Sequence, residues 1–243
     1  MRRATESCDL SERPQVSIVV PILNERSALV QFCHQVQTRA DSALEWILVD
    51  GGSGDGTLEC LIQWAADSSS AQLKVHLVQS EPGRAQQMNA GAAVARGEWL
   101  LFLHVDTRLP EGDLTTMLSP APLWGRFDVM LDARGFMFRI IARCINLRSR
   151  WSGIATGDQA IFVRRAVFER MHGYSPMPLM EDIELCTRLR ACAKPHCLRA
   201  RVVTSARRWQ ANGVWRTICL MWWLRGRYWL GASPQALAKA YRR

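Results

Sequence analysis

Apolar residues in the first half of the chain come in short unbroken runs separated by helical patterns. Val16–Val20 is one such run, ended by Pro21, and reads as a buried strand. Leu29, Phe32, Cys33 and Val36 follow at helical spacing. Trp46–Val49 is the next apolar run. It enters a loop, Asp50–Thr57, that opens a helix carrying Leu58, Leu61, Ile62 and Ala65. Lys74–Gln79 predicts a third strand, Gly83–Arg96 a helix and Trp99–Leu103 a fourth strand. The order β-α-β-α-β-α-β, with strands apolar throughout, is that of a parallel sheet covered on both faces. Such sheets bind ligands beyond the carboxyl ends of their strands, near the switch in strand order. Those positions hold Asn24 and Glu25, Asp50, and His104 to Asp106.

The pattern then changes. Phe127–Leu131 predicts a strand and Arg139–Trp151 a helix. Gln159–Val163 reads as a strand entering a helix over Arg164–Met171. Glu181–Arg190 has strong helical character, and Leu198–Val203 suits an edge strand. Val214–Leu230 reads as a helix with a wide apolar side and a cationic minority, and carries four of the ten tryptophans. The pattern divides the chain into a disordered lead over residues 1–14, one α/β domain over 15–209, and a Trp/Arg-rich amphipathic helix with a basic tail over 210–243.

Composition narrows the picture. With 243 residues, 48% of them apolar, the chain can bury a large core and is not of disordered type. Its net charge of +9 comes from arginines after Arg126, clustered at Arg199–Arg208 and Arg225–Arg243. Such a face suits anionic lipid, a phosphorylated substrate or simple solvation. No nucleic-acid module accompanies it, so no nucleic-acid partner is expected. The eight cysteines form no C-x-x-C pair and read as reduced core thiols of a cytoplasmic protein. The N-terminus has no apolar run of a signal peptide, and no stretch of about eighteen uncharged apolar residues suggests a membrane span.

Four constellations carry candidate chemistry. Asp50–Thr57 has four glycines in eight residues, which let backbone turn tightly and approach a ligand closely. Its Asp can accept from a nucleobase or ribose, and no Lys follows as in a Walker loop. His104 and Asp106 stand at i and i+2 after an apolar strand, on one face if the backbone stays extended. A divalent ion on a diphosphate needs only one or two such groups. Glu181 and Asp182 open a helix, where the dipole favours acids and where a carboxylate can also serve as general base. Arg84, Arg207 and Arg208 offer guanidinium groups to phosphates. Asp158 lines a pocket or caps a turn. Each feature has a plain structural reading as a turn, a cap or a dipole partner.

Order and spacing say more. Val19 to Glu25, then Leu48 to Thr57, then the Asp106 strand end, Glu181–Asp182 and Arg207-Arg208-Trp209 together resemble the family-2 glycosyltransferases of GT-A fold, over about residues 16–209. Gly83–Gly91 and Phe102–Pro110 are similar to a small bacterial subgroup named after carotenoid-type (diaponeurosporenoate-like) glycosyltransferases. The resemblance implies a mostly parallel sheet flanked by helices and a metal-dependent, inverting transfer of a sugar from a nucleotide-sugar, UDP-linked by preference, to a hydroxyl. It implies nucleotide contacts from Pro21, Asn24, Glu25, Asp50, Gly52, Arg84, Asn89 and His104. Asp106 corresponds to the last Asp of D-x-D, which binds Mg²⁺ or Mn²⁺, and Asp182 to the general base. Asp158, Glu181, Arg207, Arg208 and Trp209 fall to the substrate. His104 departs from the family, which has an Asp there. A nucleotidyltransferase or a non-catalytic nucleotide- or membrane-binding relative are the alternatives. Trp and Arg in 214–230 suggest peripheral contact with the inner face of the plasma membrane and a lipophilic or lipid-linked acceptor.

Overall fold

The computed structural model describes residues 13–68, 73–120 and 123–241. The disordered lead expected for residues 1–14 lies almost wholly outside them. Within them, Pro14 is already buried.

One eight-stranded sheet organises the molecule. Its strands are β1 (Val16–Ile22), β2 (Leu44–Asp50), β3 (Lys74–Gln79), β4 (Trp99–Phe102), β5 (Thr107–Arg108), β6 (Trp124–Asp132), β7 (Ile161–Arg164) and β8 (His196–Ser205), in the order β3-β2-β1-β4-β7-β6-β8-β5. The first four run parallel, β7 is antiparallel to both β4 and β6, and β8 is parallel to β6. Helices α1 (Arg26–Thr38), α2 (Thr57–Asp67) and α3 (Arg84–Val94) connect the parallel strands. Next come α4 (Leu114–Leu118), α5 (Phe136–Ser152), α6 (Arg165–Arg170), α7 (Glu181–Cys192), α8 (Arg207–Asn212), α9 (Val214–Trp229) and α10 (Pro234–Tyr241).

The unbroken apolar strands are explained by burial on both faces. Ile18, Val20 and Ile22 of β1 meet Leu29, Phe32 and Val36 of α1, whereas Val19 of β1 and Ile47 and Val49 of β2 pack beneath α3. Helix α3 lies close to the sheet because of Gly91. A Cβ there would come within 2.5 Å of Val19 Cγ1 and 2.9 Å of Val49 Cγ2.

Three expectations need correction. The strand expected from Gln159 begins at Ile161, because Gly157–Gln159 forms a 3₁₀ turn. Strand β8 is not the edge, since β5 pairs with it at Thr204 and Val203. Nor are the cysteines mostly core thiols. Among the seven described, all free, only Cys186 is buried, and Cys144, Cys192 and Cys219 are exposed.

The C-terminal helices join the main body. Leu224 of α9 and Leu237 of α10 belong to the same core cluster as Val19 and Ile47. Helix α8 runs across residues 209 and 210. Among the described residues no helix is long and apolar enough to cross a membrane.

Candidate functional site

The switch in strand order falls at β1, which pairs with β2 on one side and β4 on the other. The loops leaving these three strands build one half of the site. Ile22 and Asp50 are register partners at the ends of β1 and β2. Asp50 is buried. Its Oδ2 accepts from the backbone N–H of Gly52 (2.8 Å) and Ser53 (3.0 Å), while Oδ1 has no partner. A buried acceptor oxygen left open is costly unless a ligand donates to it. Asn24, in left-handed conformation at φ 55°, accepts from Gly54 N–H (2.8 Å), and its own N–H donates to Ser53 (2.9 Å). The two loops are thus tied together. Gly52, at φ 86°, supplies the turn that closes around Asp50.

Gln87 holds this platform from below. Its buried amide donates to the carbonyls of Ile22 (2.7 Å) and Val49 (2.9 Å). A Cβ on Gly51 would come within 2.9 Å of that amide. Asn89, expected among the nucleotide contacts, also has a structural role. Its amide is engaged at both ends by the backbone of Tyr174, donating to the carbonyl and accepting from the N–H at 2.8 Å each.

The other half is a cavity of about 480 Å³. Arg84, His104, Asp106, Asp158, Glu181, Asp182, Arg208 and Trp209 all face it, so it gathers most of the expected site residues. Pro21, Asn24, Glu25, Asp50 and Gly52 lie outside its lining. Arg207 connects the two halves, donating to Glu25 (3.1 Å) and Asp106 (3.3 Å). These partners hold its guanidinium firmly protonated. The extended face expected for His104 and Asp106 is replaced by a turn: β4 stops at Phe102, and Thr107 N–H donates to the His104 carbonyl at 3.0 Å.

Asp182 sits at the start of α7. Its carboxylate accepts from Gly157 N–H (2.9 Å) and Ile183 N–H (2.7 Å). Burial raises its pKa, and those two donors and Arg225 oppose the shift only in part. Glu181 is raised as well, by burial and then by Asp182, with Arg84 opposing. His104 is pushed down to about 3 by burial and by Arg84, so its imidazole stays neutral. Two of the four described non-glycine residues with positive φ flank this region, Met180 (φ 73°) just before Glu181 and Ala160 (φ 46°) just after the Asp158 turn. Such strain gathers where surrounding structure fixes a working geometry.

Two arginines went unforeseen. Arg148 of α5 and Arg225 of α9 face the same cavity. Burial lowers both pKa values, Arg148 to about 10. Nε and Nη2 of Arg148 are buried without a partner. Nothing in the sequence marked them, because an Arg in an amphipathic helix ordinarily reads as solvated. Apart from Thr156, Thr204, Ser205 and Thr217, the rest of the lining is mostly apolar, drawn mainly from α5 and α9.

Asp106 is the residue here that would hold a cation. Among the described residues no group of three or more His, Cys, Asp or Glu side chains is placed to hold one. Asp106 offers a single carboxylate, linked through Arg207 to Glu25, so a cation there would need most of its ligands from a bound substrate.

The fold and the platform beyond β1, β2 and β4 define an α/β protein of GT-A type. Solved structures share that fold. Staphylococcus aureus TarS superposes with a TM-score of 0.61 at 17% identity, over 79% of this chain and 36% of that one. A mannosyltransferase from Pyrobaculum calidifontis, in complex with GDP-Man and Mn²⁺, gives 0.59 at 22%, over 79% and 56%. Residues 17–131 match the profile described as "Glycosyl transferase family 2". A "PGL/p-HBAD biosynthesis glycosyltransferase" of Mycobacterium bovis is 31% identical over 172 residues, 67% of this chain and 64% of the relative. An "Undecaprenyl-phosphate 4-deoxy-4-formamido-L-arabinose transferase" of Salmonella paratyphi B is 27% identical, over 64% and 50%. The chain therefore spans less than two thirds of the length of these curated relatives.

Proposed function

We propose that this protein transfers a sugar from a nucleotide-sugar, UDP-linked by preference, to the hydroxyl of a lipophilic or lipid-linked acceptor, with inversion at the anomeric carbon. The observation that carries this reading is Asp182: a half-buried carboxylate with a raised pKa, fixed by two backbone N–H groups, in a mostly apolar cavity that also holds Asp106. The nucleoside rests on the Asn24–Ser53 platform, where the open Oδ1 of Asp50 accepts from the base. The diphosphate lies toward Arg84, Arg208 and Asp106. Arginine offsets negative charge as it gathers on the departing nucleoside diphosphate. A divalent cation held by Asp106 would add electrostatic stabilisation to the same group. The acceptor occupies the apolar cavity, and Asp182 takes its hydroxyl proton as the oxygen attacks. Glu181, Asp158 and Trp209 face the sugar and the acceptor. The relatives support this reading, since one acts on an undecaprenyl-phosphate and a structural neighbour was solved with GDP-Man and Mn²⁺.

The test is a panel of UDP-, GDP- and dTDP-sugars, read as donor hydrolysis, together with calorimetric titration of the matching nucleoside diphosphate. At least one donor is expected to turn over. Nucleoside diphosphate binding is expected to strengthen with Mn²⁺, and Asp106→Ala to lose that gain. Binding without metal dependence would remove Asp106 from the cation role. A panel with no turnover leaves a nucleotide-binding protein, not an enzyme.

A further inference from the structure

Helices α5 and α9 form the two sides of the cavity mouth, and each turns an apolar stripe to solvent. On α5 the stripe is Phe136, Ile140, Cys144, Leu147 and Trp151, within an arc of about 80° at 3.6 residues per turn. Trp151 is 93% exposed and Phe136 70%. On α9 it is Trp215, Cys219, Trp222 and Trp229, within a similar arc of about 80°. Trp222 is 70% exposed and Trp215 68%. Ile140 and Cys144 on one side, and Trp215 and Trp222 on the other, are at once exposed and part of the cavity lining. The rim of the cavity is therefore itself the apolar patch.

Charge identifies what covers it. The two helices hold seven arginines, four in α5 and three in α9, and no Asp or Glu. Arg139, Arg143, Arg216 and Arg227 are exposed. A second copy of the chain, docked through the same patch, would bring like charges together with no carboxylate from either helix to offset them. An anionic leaflet supplies the missing charge. Tryptophan at headgroup depth with arginine beside it is the side-chain chemistry of a membrane interface.

We propose that the α5–α9 face docks on an anionic lipid bilayer, so that the cavity opens into the leaflet. The docking surface stands on its own geometry. That an acceptor enters through this mouth rests on the sugar-transfer reading. Helix α5 thus shares a role that the sequence suggested for α9 alone.

The test is co-sedimentation of the full chain with vesicles of phosphatidylcholine, with and without phosphatidylglycerol. Two variants are compared with wild type, both altered in the stripes but outside the cavity lining: Phe136→Ser with Leu147→Ser and Trp151→Ser on α5, and Cys219→Ser with Trp229→Ser on α9. The wild type is expected on the phosphatidylglycerol vesicles only. Each variant is expected to lose at least tenfold in bound fraction while binding UDP within twofold of wild type. Full vesicle binding by the α5 variant would overturn the two-helix surface. Wild type that ignores the vesicles, or that dimerises in solution while both variants stay monomeric, would overturn the bilayer as its occupant. Vesicle binding without donor turnover would remove the sugar-transfer reading and leave the surface standing.

Discussion

Glu181 and Asp182 are adjacent carboxyl groups withdrawn from water, and each holds its proton more tightly than in the unfolded chain. The folded state therefore binds more protons than the unfolded one as pH rises past the usual carboxylate range, and stability falls with rising pH there. Urea unfolding midpoints are expected to drop between about pH 5 and about pH 8, and Glu181→Gln to flatten that drop. The rate should run the other way, because a base must be ionised to act: kcat/KM rises over the same range, and Glu181→Gln moves the rise to lower pH by removing a like charge. Identical profiles for wild type and variant would uncouple the pair. Asp50, Asp106 and Asp182 could be picked out in the sequence because each stands at a strand exit or a helix start. Gln87 could not. In Gly83–Gly91 it lies two residues from Asn89, a turn of about 200° around the helix, so one faces the strand ends and the other faces Tyr174. Helical phase relative to the sheet decides which is which, and a motif alone does not give it. Arg148 and Arg225 stand on separate helices that converge on one cavity, which no local sequence pattern shows.

Among the elements, long periodic segments were legible and short ones were not. Strand β3 matches its expected span, and β1, β2, β4 and β6 lie where the apolar runs placed them, a residue or more off at some ends. Strand β5 has two residues and α4 has five, too few to show a period. Helix α8 was missed because Arg207-Arg208-Trp209 reads as a motif and not as an amphipathic turn. The antiparallel entry of β7 between β4 and β6 was also beyond sequence reasoning, since burial makes strands of either direction equally apolar. Helix α3 offers an element-scale test. Gly91→Ala improves helix propensity by about 1 kcal/mol. The added methyl meets Val19 and Val49 at distances a packed core does not absorb. A net loss of about 1–3 kcal/mol is expected in urea unfolding. A stabilised variant would show that α3 can lift off the sheet without penalty, and with it the Gln87 support for the nucleotide platform.

At the scale of the whole molecule, the sheet separates two kinds of work. The parallel half has its loops beyond β1 and β2 tied together by hydrogen bonds, and is the proposed platform for a nucleotide. The later half adds β6–β8, α5 and α7, and with α9 lines a mostly apolar cavity that holds the half-buried Asp182. Arg207, linking Glu25 to Asp106, is where the halves meet. The surplus of positive charge lies in the later half, and seven of its arginines stand on α5 and α9, the helices that form the cavity mouth. In the proposed mechanism, sugar transfer would depend on Asp182, which lines the cavity, taking a proton from the acceptor. The most direct measurement is turnover of Asp182→Asn with the best donor of the panel, alongside calorimetric titration of nucleoside diphosphate. The expected result is transfer reduced by about 10²–10⁴-fold with nucleotide binding kept within a few-fold. Turnover at the wild-type rate would contradict the assignment of Asp182 as base and the mechanism built on it.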